Sequence, residues 1–289
     1  MDQVSLANGL LHCVVALRGA ELRSLADAGG EEYLWQRDPA VWEDSAPILF
    51  PVVGRLKDGG YRHAGKRYEL PIHGFARHCR FAVRETQADS VLLELQSTPA
   101  TLACYPFAFT LTVRFTLEKN CLRVVYNVHN TGAENMYFSL GSHPGFRLPQ
   151  DGGASWRLLF SESPQQVRQL DGPLLGAASR PYSLGPGNSL PLSPGLFDDD
   201  ALIFTQMHAR HVALARADGA TRLVLDTGGA PDLGIWSRPG ASYICIEPWH
   251  GYDDSAAVSG ELRDKPGIVE LAAGATFSTH YAITVHPST

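Results

Sequence analysis

Phe107-Ala108-Phe109-Thr110-Leu111-Thr112-Val113-Arg114-Phe115-Thr116-Leu117 reads as a strand with one face for a core and one for solvent. Phe107, Phe109, Leu111, Val113, Phe115 and Leu117 alternate with Ala108, Thr110, Thr112, Arg114 and Thr116. That is a period of two, where an amphipathic helix repeats every 3.6 residues. Glu118-Lys119-Asn120 has the composition of a turn, after which Leu122, Val124, Tyr126 and Val128 alternate with Arg123, Asn127 and His129. The two runs predict a long β-hairpin with one buried face.

The same period extends outward from this hairpin. A second hairpin is expected around Asp218-Gly219, between His211-Val212-Ala213-Leu214-Ala215-Arg216 and Thr221-Arg222-Leu223-Val224-Leu225. Phe277, Thr279, Tyr281, Ile283 and Val285 mark an alternating C-terminal strand, and residues 91–95 and 11–17 read as further strands. No amphipathic helix longer than a couple of turns is visible. Many short strands, frequent Gly and Pro, and no βαβ rhythm predict an all-β, largely antiparallel sandwich. Residues 163–194, rich in Pro, Gly and Ser, read as a long surface excursion or as a lid over a site. With no repeat and no linker in view, residues 1–289 read as one domain.

Composition narrows the function. Hydrophobic content of 44% and charged content of 19% suit a soluble globular chain with a sizeable core. A formal net charge of −6 without a Lys/Arg-rich run argues against nucleic acid and acidic membranes as partners. The opening Met1-Asp2-Gln3-Val4-Ser5 lacks the basic region of a signal peptide, and no apolar run reaches the length of a membrane span. The five cysteines (13, 79, 104, 121 and 245) are odd in number, scattered, and form no CxxC pair. That pattern fits reduced thiols and a cytoplasmic location.

Three segments place an ionisable side chain where a strand stops. They are Leu70-Pro71-Ile72-His73-Gly74-Phe75, Gly141-Ser142-His143-Pro144-Gly145-Phe146 and Cys245-Ile246-Glu247-Pro248-Trp249. Two imidazoles and a carboxylate are the parts that paired proton transfer near neutral pH requires. Strand parity puts residues 137, 139, 141 and 143 on one face, and the small Ser139 and Gly141 leave room beside His143. Glu247 shares a face with Cys245 and Tyr243 while Ile244 and Ile246 point the other way, which predicts a buried carboxylate with a raised pKa. The plain alternative is a strand-end Glu paired with Arg238. His73 sits in a turn held by Pro71 and Gly74, and Arg55 ends the apolar run Phe50-Pro51-Val52-Val53-Gly54-Arg55-Leu56. An arginine there suits an oxygen-rich ligand, or else is a solvated loop charge. His63, His73 and His78, with Cys79, lack metal-ligand spacing, so no metal is expected. No GxSxG elbow and no phosphate-binding Gly loop occur.

Phe50-Pro51-Val52-Val53-Gly54-Arg55-Leu56, then residues 65–75, then Ser142-His143-Pro144-Gly145-Phe146 and Cys245-Ile246-Glu247-Pro248 resemble the aldose 1-epimerase (galactose mutarotase) family, its LacX-like branch in particular. The resemblance runs from about residue 10 to 286. It implies a galactose-mutarotase-like β-supersandwich with a sugar cleft on a concave sheet and no cofactor. Carried across residue by residue, Glu247 resembles the general base, His143 the general acid, His73 the second histidine near the ring oxygen, and Arg55 the hydroxyl-binding arginine. Asp200 or Asp199, ahead of Ala201-Leu202-Ile203-Phe204, resembles a ligand-binding aspartate. Better-known galactose-acting members carry Tyr-Phe-Asn where this chain has Pro144-Gly145-Phe146, and their segment around the second histidine is longer. Those departures bear on which sugar is used more than on the reaction.

The reaction so implied is mutarotation of an aldohexose, with acid and base expected on opposite sides of the ring. Trp236 and Trp249 are candidates to stack on a pyranose. A hexose 6-phosphate is an alternative substrate, with Arg55, Lys57, Arg77 and Arg238 as candidate phosphate ligands. A sugar-binding protein without turnover is the second alternative. A monomer or homodimer fits either reading.

Overall fold

A computed structural model describes residues 2–148, 155–164, 166–172, 174–176 and 178–287. The decisive hairpin is present as strands Phe109–Glu118 and Cys121–Asn130, whose inward residues are buried in strict alternation. Lys119 closes the turn with φ of 57°. The strand begins at Phe109 rather than Phe107, but Phe107 still packs into the core. Each such buried aliphatic or aromatic side chain contributes about 1.5–3 kcal/mol.

Around this hairpin the described residues form a nine-stranded sheet. Its order is Ser189–Pro191, Trp156–Phe160, His211–Arg216, Thr221–Asp226, Thr276–Val285, Cys121–Asn130, Phe109–Glu118, Ser90–Gln96 and Ala82–Thr86. The Asp218-Gly219 hairpin and the C-terminal strand are therefore where the alternation puts them. A second, eight-stranded sheet carries Leu202–Phe204, Asp232–Trp236, Tyr243–His250, Leu140–Ser142 and Ile48–Leu49 in that order, with Gly145–Arg147 also paired to Tyr243–His250. All pairings between these strands are antiparallel. Leu233, Ile235, Ile244 and Ile246 of this sheet join the Phe109 face of the first in one buried cluster, so the main core lies between the two. A hydrogen bond of 2.8 Å between Tyr126 Oη and Ser142 Oγ crosses it. A third sheet, Gln3–Ala7, Leu11–Ala16 and Leu22–Asp27, adds Leu6, Cys13 and Val15 to the same cluster. The described α-helix, Pro99–Cys104, is a single capped stretch. No described helix is long and apolar enough to cross a membrane, and all five cysteines are free thiols.

Two local expectations are corrected. Residues 137–143 are not one strand. Met136–Phe138 pairs with Val269–Leu271, the Ser139 N–H turns to the Pro51 carbonyl at 2.8 Å, and Leu140–Ser142 then joins the second sheet. The chain changes sheets at Ser139, so the shared face survives for Gly141 and His143 only, while the Tyr137 hydroxyl donates to Glu270 on the far side. The described part of residues 163–194 is not a free surface excursion. Gln166–Arg168 and Ser189–Pro191 are sheet strands, and Leu170 and Leu175 pack beside Trp249, Leu49 and Ile203. Backbone pairing holds these strands where side-chain alternation is too short to announce them.

Candidate active site

The free face of the second sheet carries the chemistry. Along Tyr243–His250, the odd-numbered Tyr243, Cys245, Glu247 and Trp249 share that face, because Ile244 and Ile246 are committed to the core. Across the strands, Gly234 stands opposite Glu247 and Gly141 opposite Trp249. The Trp249 indole lies over both glycines: a Cβ on Gly141 would sit 2.6 Å from its Cδ1, and one on Gly234 would sit 2.5 Å from its Cζ2. The space left by Gly141 is thus filled by Trp249, which floors the cleft.

His143 follows Ser142 at the strand end, its N–H bonded to the Pro47 carbonyl at 3.1 Å. Its Nε2 lies 3.4 Å from Glu247 Oε2, and both side chains are buried. Glu247 is therefore partnered by His143 and not by Arg238. The two groups are too close to flank a sugar ring from opposite sides, as the sequence reading expects. They are placed to serve two oxygens bonded to the same carbon. Trp42 rests on His143 with ring centroids 5.0 Å apart and stacks on Tyr243, while Trp236 meets the His143 ring edge-on at 5.8 Å.

His73 occupies the left-handed region at φ of 64°. Its Nδ1 accepts the Gly54 N–H at 3.1 Å, and its own N–H donates to the Gly54 carbonyl at 3.0 Å. An accepting Nδ1 leaves the proton of the neutral ring on Nε2. The His73 ring stands 5.7 Å from that of His143, edge to face. Arg55 lies between two carboxylates, Asp200 at 3.9 Å and Asp253 at 3.7 Å, and the Asp253 side chain also accepts the Arg55 backbone N–H at 2.8 Å.

These groups line one cavity of about 500 Å³, with Trp236, Trp249, Asp198 and Asp200 among its walls. Asp199 is not in the lining, which decides between the two aspartates as to place. Of the cations considered for a phosphate, Arg55, Arg77 and Arg238 face the cavity. Lys57 does not: its amine donates to the Ala256 and Val258 carbonyls at 2.7 and 3.2 Å, outside the site. Arg77 is paired with Asp44. His63, His78 and Cys79 join no metal-like grouping among the described residues.

Burial sets the charge states. It pushes the Glu247 carboxyl well above the usual range, with Asp253 adding to the rise. The nearby Trp249 N–H, which makes no hydrogen bond by strict geometry, offsets part of this. Burial, with Arg77 adding, lowers His143 to about 3. Burial and then the neighbouring His143 hold His73 well below the usual imidazole value. Both shifts favour the uncharged forms, a protonated carboxyl and a neutral imidazole. In these uncharged forms the one proton of the pair sits on the Glu247 carboxyl, 3.4 Å from His143 Nε2.

A family model described as aldose 1-epimerase matches residues 2–284. The chain belongs to the aldose 1-epimerase family. It is 31% identical over 297 aligned residues to the chromosomal LacX protein of Lactococcus lactis subsp. lactis, covering 98% of this chain and 99% of that one. Among solved structures, a galactose mutarotase related enzyme from Lactobacillus acidophilus superposes with a TM-score of 0.93 at 34% identity, covering 99% and 98% of the two chains. A galactose mutarotase-like protein from Lactobacillus casei superposes with a TM-score of 0.92 at 31% identity, covering 98% and 100%. The β-supersandwich of the galactose-mutarotase type is thus the fold of this epimerase-family chain.

Sequence reasoning missed Trp42, Asp198 and Asp253 as cleft residues of this family member. Trp42 comes from an irregular stretch without periodicity. Asp253 carries one signal, an acidic pair, Asp253-Asp254, four residues past Trp249. Asp254 accepts from the buried Lys265 amine at 2.9 Å and from the Lys57 N–H at 2.9 Å, locking this loop to the Arg55 segment. Gly54 makes the close approach possible, with φ of 72° and the Asp253 carboxyl 2.2 Å from where a Cβ would stand. Gly54→Ala is expected to cost about 1–3 kcal/mol, from backbone strain and from displacing a buried carboxylate. Urea unfolding of the variant against the parent chain measures it.

Proposed function

We propose that this chain is a mutarotase that interconverts the α and β anomers of an unphosphorylated aldohexose by general acid–base catalysis. The observation that carries the reading is the buried contact of 3.4 Å between His143 Nε2 and Glu247 Oε2 at the wall of a sugar-sized cavity. O1 and the ring oxygen O5 are both bonded to C1, so the groups that serve them must be neighbours.

Passing the shared proton from Glu247 to His143 creates a carboxylate and an imidazolium. Glu247 then takes the proton of the O1 hydroxyl while His143 gives one to O5. The C1–O5 bond breaks, the aldehyde forms and C1–C2 rotates. Closure on the other face runs both transfers backwards and restores the pair. His73 donates its Nε2–H to an oxygen near the ring, while Arg55 and Asp200 hold hydroxyls. Trp249 and Trp236 offer apolar faces to the pyranose.

Charge favours a neutral sugar. Among the described lining residues, Arg55, Arg77 and Arg238 are matched by Asp198, Asp200 and Asp253, leaving no net positive field for a phosphate. One observation favours the phosphorylated alternative: Arg238 makes no ion pair among the described residues. Initial rates on free glucose and on glucose 6-phosphate decide between them, and the free sugar is expected to react faster.

The shared proton also predicts a pH profile. Activity is lost when the pair binds a second proton or loses its only one. The first event is displaced below 6.5 because His143 is lowered to about 3, and the second is displaced above 4.5 because Glu247 is raised. In chelator-treated protein, kcat/KM is expected to show no acid limb at pH 6.5. An acid limb centred there would contradict a neutral buried His143.

A further inference from the structure

We propose that His143, Cys245 and Glu247 form a binding site for a thiophilic divalent cation of the Zn²⁺ and Cd²⁺ class. One nitrogen, one sulfur and one carboxylate oxygen lie within 4.8 Å of one another, and all three residues are buried. Cys245 has no part in the proposed reaction and does not line the cavity, but it shares the Glu247 face of the strand and its Sγ lies within 4.8 Å of the His143 and Glu247 ligand atoms. One ligand atom of this set, Glu247 Oε2, is left without a hydrogen-bond partner in a residue only 1% exposed. Burying polar atoms in this way costs free energy that a ligand can recover.

The donor set suits the cation. Bonds of about 2.0–2.3 Å to nitrogen, oxygen and sulfur put tetrahedral ligand atoms roughly 3.3–3.8 Å apart. The His143–Glu247 separation of 3.4 Å already falls in that range, and the separations to Cys245 Sγ exceed it by no more than about 1 Å. A thiolate and a carboxylate balance the two positive charges, so the complex is neutral where a net charge would be costly. His143 and Glu247 open onto the cavity, which supplies the route in and a fourth position for water. Sequence spacing conceals the site because its ligands come from two strands roughly a hundred residues apart. Binding stands independently of turnover. Inhibition by the cation rests on the proposed function, since the metal would take the lone pairs that move protons.

The test is titration of the full chain with CdCl₂, following the ultraviolet thiolate-to-cadmium charge-transfer band, with ZnCl₂ as competitor. One saturable equivalent displaced by Zn²⁺ is expected. The band should be lost in Cys245→Ser, and the affinity should fall at least tenfold in His143→Asn and in Glu247→Gln. A band that persists in Cys245→Ser, or affinities unchanged in both His143→Asn and Glu247→Gln, would place the cation on other cysteines and overturn the site. So would the lack of a saturable band in the parent chain. Circular dichroism shows which variants are folded, and the His143→Asn variant keeps the test open if Cys245→Ser is not. Cadmium binding in a chain that does not catalyse mutarotation would leave this site standing and remove the mutarotase reading.

Discussion

Glu247→Gln is expected to lower catalysed mutarotation by at least about 10²–10⁴-fold, the scale of a single positioned acid or base. The amide keeps the size of the carboxyl but can neither take the O1 proton nor carry the proton shared with His143. Because both side chains are buried, water is poorly placed to substitute. The fold is expected to tolerate this change, because burial favours the uncharged form of the parent carboxyl and the amide is neutral and of the same size. Loss of turnover with little change in the urea midpoint is the expected pair of results, read by polarimetry on fresh α-glucose or α-galactose. Activity within a few-fold of the parent would remove Glu247 as the base.

Gly234→Ala is expected to damage the cleft from beneath. The new Cβ would stand 2.5 and 2.6 Å from Cζ2 and Cη2 of Trp249, where ordinary contacts begin near 3.4 Å. A flat indole cannot bend out of the way. It is held on its other edge over Gly141, with Val53 and Leu49 alongside, so it must lift from the sheet into the space proposed for the sugar. Overpacking of this kind costs about 1–3 kcal/mol. The floor of the cleft rises with it, so KM should increase at least tenfold, with a smaller change in kcat because His143 and Glu247 stay on their own strands. An unchanged KM and unchanged stability would mean that Trp249 is not the floor.

The Phe109–Glu118 and Cys121–Asn130 hairpin was legible because its alternation runs for ten residues on each strand and one face meets a core. Glu247 and Cys245 could be assigned a common face for the same reason, since parity holds for as long as the strand does. The reading failed at Ser139, where the chain leaves one sheet for another. That event depends on the Pro51 carbonyl and on partner strands distant in sequence. Residues 163–194 misled because strands of two or three residues are defined by their neighbours and carry no period of their own. Trp42 and Asp253 reach the cleft from loops whose course is set by packing, as with Gly54 beneath the Asp253 carboxyl. The direct contact of His143 with Glu247 is a fact of tertiary structure, and motifs a hundred residues apart could supply the two groups but not their distance.

Polarimetry of freshly dissolved α-glucose and α-galactose with the parent chain measures whether His143 and Glu247 open and close a hexose ring. Relaxation to the anomeric equilibrium is expected at a rate that rises in proportion to protein concentration above the buffer blank. Relaxation at the blank rate at every concentration, in folded protein that still binds the sugar, would contradict it.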